Sequence, residues 1–215
     1  MSGFEAVIFD FGGVFTTSPV ENFAVFERAH GLPEKFIGGV IKANHHDNAW
    51  AQFERAEISF AAFDRLFAEE TGAAGYEIRG TTLVTLLALT LRPEMVEALA
   101  RVKDAGFKTG CITNNLPKFD SAAMLANASH ADKARAILSR FDHLIESSKA
   151  GVRKPEPRIY EMMCEALGVA PAACIFLDDL GVNLKPARAM GMMTIKVPTG
   201  GVAPAIAALY GLLGL

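Results

Sequence analysis

The chain is poor in the features that mark a membrane protein, a secreted scaffold or a nucleic-acid surface. In its 215 residues no apolar stretch approaches the roughly 20 needed to cross a bilayer. The N-terminus has no basic run, and Glu5 and Asp10 interrupt its apolar residues, so a signal peptide is not expected. Cysteine is scarce and odd in number. Cys111, Cys164 and Cys174 each sit inside an apolar segment and read as buried thiols of a reducing compartment, which excludes a disulfide framework or a zinc site. Net charge is only −3 with no long basic run, which argues against nucleic acid and gives no membrane-binding patch. A cytoplasmic location is the expectation. No internal repeat and no low-complexity tract is present. What remains is 51% hydrophobic and 21% charged, the balance of a globular chain long enough to bury a sizeable core.

Short runs rich in Val, Ile and Phe recur at 6–9 (AVIF), 107–113 (FKTGCIT), 143–147 (HLIES), 174–179 (CIFLDD) and 193–197 (MTIKV). Most are bounded by Gly, Pro, Asn or Asp, as strands are. Helical patterns lie between them. Met95, Val96, Leu99 and Val102 follow Pro93 at helical spacing and stop at Gly106, a C′ glycine. Pro155 to Leu167 repeats the design and stops at Gly168, and a shorter helix is expected from Asn183 to Met190. Strand and helix alternate through this half, which predicts an α/β fold with a largely parallel sheet. The segment 16–91 differs. Phe23, Phe26, Phe36, Trp50, Phe53, Phe60, Phe63 and Phe67 recur nearer helical than alternating spacing, and Ser59 is placed to cap a helix running to Gly72. The expected architecture is therefore a Rossmann-like parallel-sheet core, 1–15 with 92–215, carrying an all-helical lobe over 16–91.

Polar clusters sit at or beside the strand ends, and the carboxyl ends of strands in an open parallel sheet line one ligand crevice. Asp10 follows VIF, Thr113, Asn114 and Asn115 follow Ile112, Lys154 opens the predicted helix K-P-E-P-R-I-Y, and Asp178 and Asp179 close CIFL. Singly these are ordinary turn formers, caps and a solvated charge. Jointly they are not. Carboxylates about 4 Å apart at an effective dielectric near 20 repel by about 4 kcal/mol per pair. Such a cluster persists only with a cation or with shared protons. Three acids, a lysine and a hydroxyl–amide pair fit a divalent metal beside an anion, and Mg²⁺ takes few carboxylates along with water and substrate phosphate oxygens.

In order, F-D-F-G-G-V, C-I-T-N-N, V-R-K-P-E-P-R-I-Y and F-L-D-D-L-G-V-N-L-K-P-A-R-A-M-G resemble the four motifs of the haloacid dehalogenase-like hydrolase superfamily. Phe141 to Val197 is particularly similar to the phosphatase domain of soluble epoxide hydrolases. The resemblance implies that Asp10 is a nucleophile forming an aspartyl-phosphate. It implies that Thr113 and the Asn114 backbone N–H bind the phosphoryl group and that Lys154 neutralises its charge. It assigns a Mg²⁺ cofactor to Asp10, Asp178, Asp179 and the Gly12 carbonyl, with Asn183 beside them. It also makes 16–91 a cap over the site. The implied substrate is a small phosphorylated metabolite, with no nucleic-acid or membrane partner and the oligomeric state left open.

One departure stands out. Many phosphatases of this family carry a second aspartate two residues after the nucleophile as general acid and base, a function worth about 10²- to 10⁴-fold. Here that position is Gly12. Some similar sugar-phosphate phosphatases also have D-x-G. Two alternatives follow: a 2-haloacid dehalogenase-like hydrolase, whose halide leaves without a proton, and a non-catalytic phospho-ligand binder. In the cap, His45, His46 and Asp47 are expected to be solvated or to touch substrate, with the two histidines diverging on a helix; either histidine is also a candidate for the missing acid. Trp50 and Phe53 are expected in the cap core, and Glu54 and Arg55 are candidate substrate contacts. The apolar tail from Ala205 is expected to pack on the sheet or on a second subunit.

Overall fold

A computed structural model describes residues 3–87, 90–117 and 128–215. Five parallel strands form one sheet in the order β3-β2-β1-β4-β5: β1 Ala6–Phe9, β2 Lys108–Thr113, β3 His143–Glu146, β4 Cys174–Asp178 and β5 Met193–Lys196. β1 is buried along its whole length because both faces of the sheet are covered. Alternation along the pleat divides its side chains. Val7 and Phe9 join Ile175 and Leu177 against helices α6 (Pro93–Asp104) and α11 (Ala203–Leu213). Ala6 and Ile8 join Phe176 on the other face against α9 (Pro157–Leu167) and α10 (Gly181–Ala189). The apolar tail thus packs on the sheet through Ala205, Leu209 and Leu213. In sequence, α7 (Ala128–Leu138) precedes β3 and the short α8 (Ser147–Ala150) follows it. No helix among the described residues is long and apolar enough to cross a membrane.

Between β1 and α6 the chain builds a helical cap lobe with its own core: α1 Pro19–Ala29, α2 Phe36–Lys42, α3 Ala49–Glu54, α4 Phe60–Ala73 and α5 Gly80–Thr85. Phe23, Ile37, Phe53, Phe63, Phe67 and Leu83 fill it, with Phe53 and Phe63 stacked at 4.5 Å between centroids. Trp50 packs at its edge. Ser59 does cap α4, accepting from the Ala62 N–H. The helix runs one residue past Gly72, to Ala73. The chain leaves and re-enters the sheet layer side by side. Arg92 N donates to the Phe15 carbonyl at 2.8 Å, Thr17 N donates to that of Thr90 at 2.8 Å, and Thr16 and Leu91 form an antiparallel bridge.

Two helix starts differ from expectation. α9 begins at Pro157 rather than Pro155, so Lys154 lies in the preceding loop and does not open the helix. Each proline drives the residue before it toward extended backbone, and Glu156 has ψ 128, so the helix starts only after the second. α10 begins at Gly181, two residues earlier than expected. There the Asp178 carboxylate accepts the Leu180 N–H at 2.7 Å and fixes the turn into the helix.

Candidate active site

The parallel register sets Phe9 beside Leu177, so the next residues, Asp10 and Asp178, emerge together at the carboxyl ends of the two central strands. Asp179 follows at once, and oxygens of all three acids lie within 4.8 Å of one another. Lys154 reaches in from the loop before α9. Its side chain is 1% exposed, and its ammonium contacts Asp10 Oδ1 at 2.6 Å and Asp178 Oδ2 at 2.9 Å. Phe11 N–H donates to the same Asp10 oxygen at 2.6 Å. Asn183, in the first turn of α10, donates to both Asp178 oxygens at 3.1 and 3.0 Å, and the Tyr160 hydroxyl donates to its carbonyl at 2.7 Å. Thr113 closes β2, the other neighbour of β1, and is buried. Sequence-selected Asp10, Lys154, Asp178, Asp179 and Asn183 therefore meet in one place.

Four contributors carry no sequence signal of their own. Ser18, just past the cap crossing, donates to Asp179 Oδ2 at 2.9 Å. Arg92 donates to the Gly13 carbonyl at 3.2 Å and to that of Thr199 at 3.1 Å, bracing the turn after Asp10. Arg153 and Ser147 face the cap, as described below. The Asn114 side chain does not act as a free amide: its Oδ1 accepts the Lys154 N–H and its Nδ2 donates to the Lys154 carbonyl, both at 2.9 Å. His45 and His46 lie in the turn between α2 and α3 rather than on a helix, and their rings sit 4.0 Å apart instead of diverging. Glu54 is buried in the cap–core contact, and Arg55 pairs with Glu57 at 2.7 Å.

The charge arithmetic favours a cation. Three carboxylates against one ammonium leave two negative charges when all are ionised. Burial pushes the Asp10 carboxyl well above the usual carboxylate range; Lys154 pulls it back, while Asp178 and Asp179 push it further up. Burial and then Asp178 raise Asp179 to about 6. Burial opposes the charge on Lys154, but Asp10 and Asp178 outweigh it and raise its pKa above the ordinary lysine value. A buried, all-oxygen donor set whose members repel suits a hard divalent ion.

These shifts have a sign. A carboxylate raised in the fold contributes stability below its ordinary value near 4 and loses it as pH rises through the folded value, about 6 for Asp179. That loss is of order 2 to 3 kcal/mol for Asp179, and Asp10 moves in the same direction. Lys154 stays protonated throughout this window and contributes no slope. Metal-free protein is therefore expected to melt about 5 °C or more lower at pH 8 than at pH 5, with Mg²⁺ restoring most of the difference. Calorimetry with EDTA and with Mg²⁺ checks this; equal Mg²⁺ stabilisation at both pH values would contradict it.

The fold is thus a Rossmann-like sheet with a helical lobe inserted after its first strand, and three acids and a lysine meet at the carboxyl ends of its central strands. The sequence model of the haloacid dehalogenase-like hydrolases matches residues 4–191, and the chain belongs to that family. It is 31% identical over 203 residues to bifunctional epoxide hydrolase 2 of Sus scrofa, covering 89% of this chain but only 36% of that protein. It is 28% identical over 207 residues to a Mycobacterium tuberculosis protein named as a phosphatase, covering 91% of this chain and 88% of that one. Among solved structures, a family enzyme of Bacteroides thetaiotaomicron in complex with magnesium and inorganic phosphate superposes with a TM-score of 0.62. That match has 17% identity and covers 94% of this chain and 98% of the other. At that identity the likeness speaks for the fold.

Proposed function

We propose that this hydrolase is a Mg²⁺-dependent phosphatase of small phosphorylated metabolites, working through an aspartyl-phosphate on Asp10. The observation that carries the reading is the Lys154 ammonium clamped between Asp10 and Asp178, with Asp179 alongside, at the end of the central strands. The phosphatase relative at 28% identity supports it. Residues 16–91 are assigned as the cap, and 1–15 with 92–215 as the core.

Asp10 Oδ1 is already engaged by Lys154 and by the Phe11 N–H, which leaves Oδ2 to attack phosphorus. The new O–P bond forms as the bond to the leaving oxygen breaks and its electron pair departs with that oxygen. Lys154 neutralises charge between the nucleophile and the equatorial oxygens, while Thr113 and the Asn114 backbone N–H hold the phosphoryl group. Asp10, Asp178, Asp179 and the Gly12 carbonyl would hold Mg²⁺, which supplies Lewis-acid neutralisation of the phosphate. Water then cleaves the aspartyl-phosphate and regenerates Asp10. The dehalogenase alternative has no use for the buried Asp178–Asp179 pair, because dehalogenases of the family work without metal.

Phosphate release from p-nitrophenyl phosphate is expected with Mg²⁺, with loss of at least 100-fold in excess EDTA and recovery on adding Mg²⁺ back. Inorganic phosphate binding without turnover on a broad panel would favour the non-catalytic binder. EDTA-insensitive chloride release from chloroacetate would favour the dehalogenase.

A further inference from the structure

The cap meets the core along a seam whose side chains the proposed chemistry does not use. α3 ends at Glu54, whose side chain is 5% exposed. Its Oε2 accepts from Arg153 Nε at 2.6 Å and from Asn114 Nδ2 at 3.3 Å. Around this pair, Arg153 Nη1 donates to the His45 carbonyl at 2.8 Å, and the Ser147 hydroxyl donates to the carbonyl of Glu54 itself at 2.8 Å. Arg55 reaches Glu156 at 3.6 Å, and Leu116 packs against the cap core. The seam therefore joins the α2–α3 segment of the cap to the loops that follow β2 and β3.

Asn114 is the pivot. The Nδ2 that faces Glu54 also donates to the Lys154 carbonyl, while Oδ1 accepts the Lys154 N–H. Arg153, the immediate neighbour of Lys154, is held by the same Glu54 oxygen. Both peptide groups of Lys154 are thus fixed by a side chain that a cap carboxylate restrains. A buried Arg–carboxylate pair does little for stability compared with apolar residues of the same volume, and its best-attested use is to fix one arrangement over others.

We propose that Glu54 is a positioning residue: through Arg153 and Asn114 it ties the seating of the helical cap to the placement of the Lys154 ammonium between Asp10 and Asp178. The proposal rests on the reading of Lys154 as the group that neutralises phosphoryl charge. With the cap seated, water is excluded and Lys154 is held; with it lifted, Arg153 and Asn114 lose a shared partner and the Lys154 loop loosens. Closure and competence are then one event.

The test uses the full chain with Mg²⁺ and p-nitrophenyl phosphate. Glu54→Gln and Arg153→Gln are each expected to lower kcat about 10-fold with KM within about 3-fold, because misplacement of a charge acts mainly on the transition state. The double variant is expected to be no worse than the poorer single one, as for residues acting through one coupling. Glu69→Gln, on the exposed face of α4, serves as a charge-loss control at wild-type rates. Hydrogen–deuterium exchange in 108–117 and 147–156 is expected to quicken in Glu54→Gln beyond the rest of the chain, with a melting temperature lowered by several degrees because Arg153 loses its buried partner. Arg153→Lys, which keeps the charge but not the fork, provides a second variant should Glu54→Gln fold poorly. A lowered melting temperature with kcat unchanged, singles that multiply in the double variant, or unaltered exchange would each overturn the proposal. Wild-type protein without turnover would remove the phosphatase reading instead, and the exchange measurement would still decide the tie.

Discussion

Asp10→Asn is expected to lower phosphate release by on the order of 10⁴-fold or more, as loss of a covalent nucleophile does. The amide has the shape of the carboxylate but no charge, and its nitrogen lone pair is delocalised, so it cannot form the O–P bond. The substitution is mild for the fold. Lys154 keeps its contact to Asp178 at 2.9 Å, and one of three mutually repelling acids is gone. The melting temperature without metal is therefore expected to change by no more than a few degrees. A saturating p-nitrophenyl phosphate assay beside a thermal melt separates the effects. Residual activity above about 1% in a folded variant would mean another group is the nucleophile.

The adjacent glycines of F-D-F-G-G-V are expected to respond in opposite ways. Gly13 has φ +76, and a Cβ there would lie 2.2 Å from Asp179 Oδ2 and 2.3 Å from its Cγ. A Cβ on Gly12 meets nothing within 4 Å. The left-handed backbone costs an alanine only about 1 to 2 kcal/mol. The larger effect is steric: the Asp179 carboxylate must swing away, leaving Ser18 and the acid cluster. Gly13→Ala is therefore expected to weaken Mg²⁺ binding by about 100-fold or more in titration calorimetry, with turnover falling in step. Gly12→Ala is expected to stay within a few-fold of wild type on both counts. The same open space admits an acid. Gly12→Asp is expected to raise turnover of an alkyl phosphate by about 10-fold or more, with much less change for p-nitrophenyl phosphate, whose leaving group needs no proton. Equal damage from alanine at either glycine would contradict this account of the turn.

How far these residues could be read in advance depends on how local their signals are. Each strand is a short apolar run closed by a polar residue, and Asp10, Thr113 and Asp178 close theirs by position alone, so the gathering at the carboxyl ends of the strands follows once they are parallel. The Phe-rich spacing marks the helical lobe for the same reason. What could not be read is contact between distant segments. Glu54 and Arg153 are 99 positions apart, and Ser18 and Asp179 are 161 apart. Neither pair belongs to a periodic pattern. The histidine pair misled because helical spacing around it extends across a segment that turns between α2 and α3. The start of α9 lies two residues past the first proline because two prolines compete for the first helical position, and only the second wins.

The hydrogen bonds joining Phe15 to Arg92 and Thr17 to Thr90 set the two ends of the lobe within a peptide's width of each other. To the sheet, everything from Thr16 to Leu91 is topologically a single excursion from one point. The entropy of closing such an excursion grows only logarithmically, by about 0.6 kcal/mol for each doubling of length. Descendants of this chain can therefore enlarge, trim or replace what covers the crevice while the strands that aim Asp10 and Asp178 keep their register.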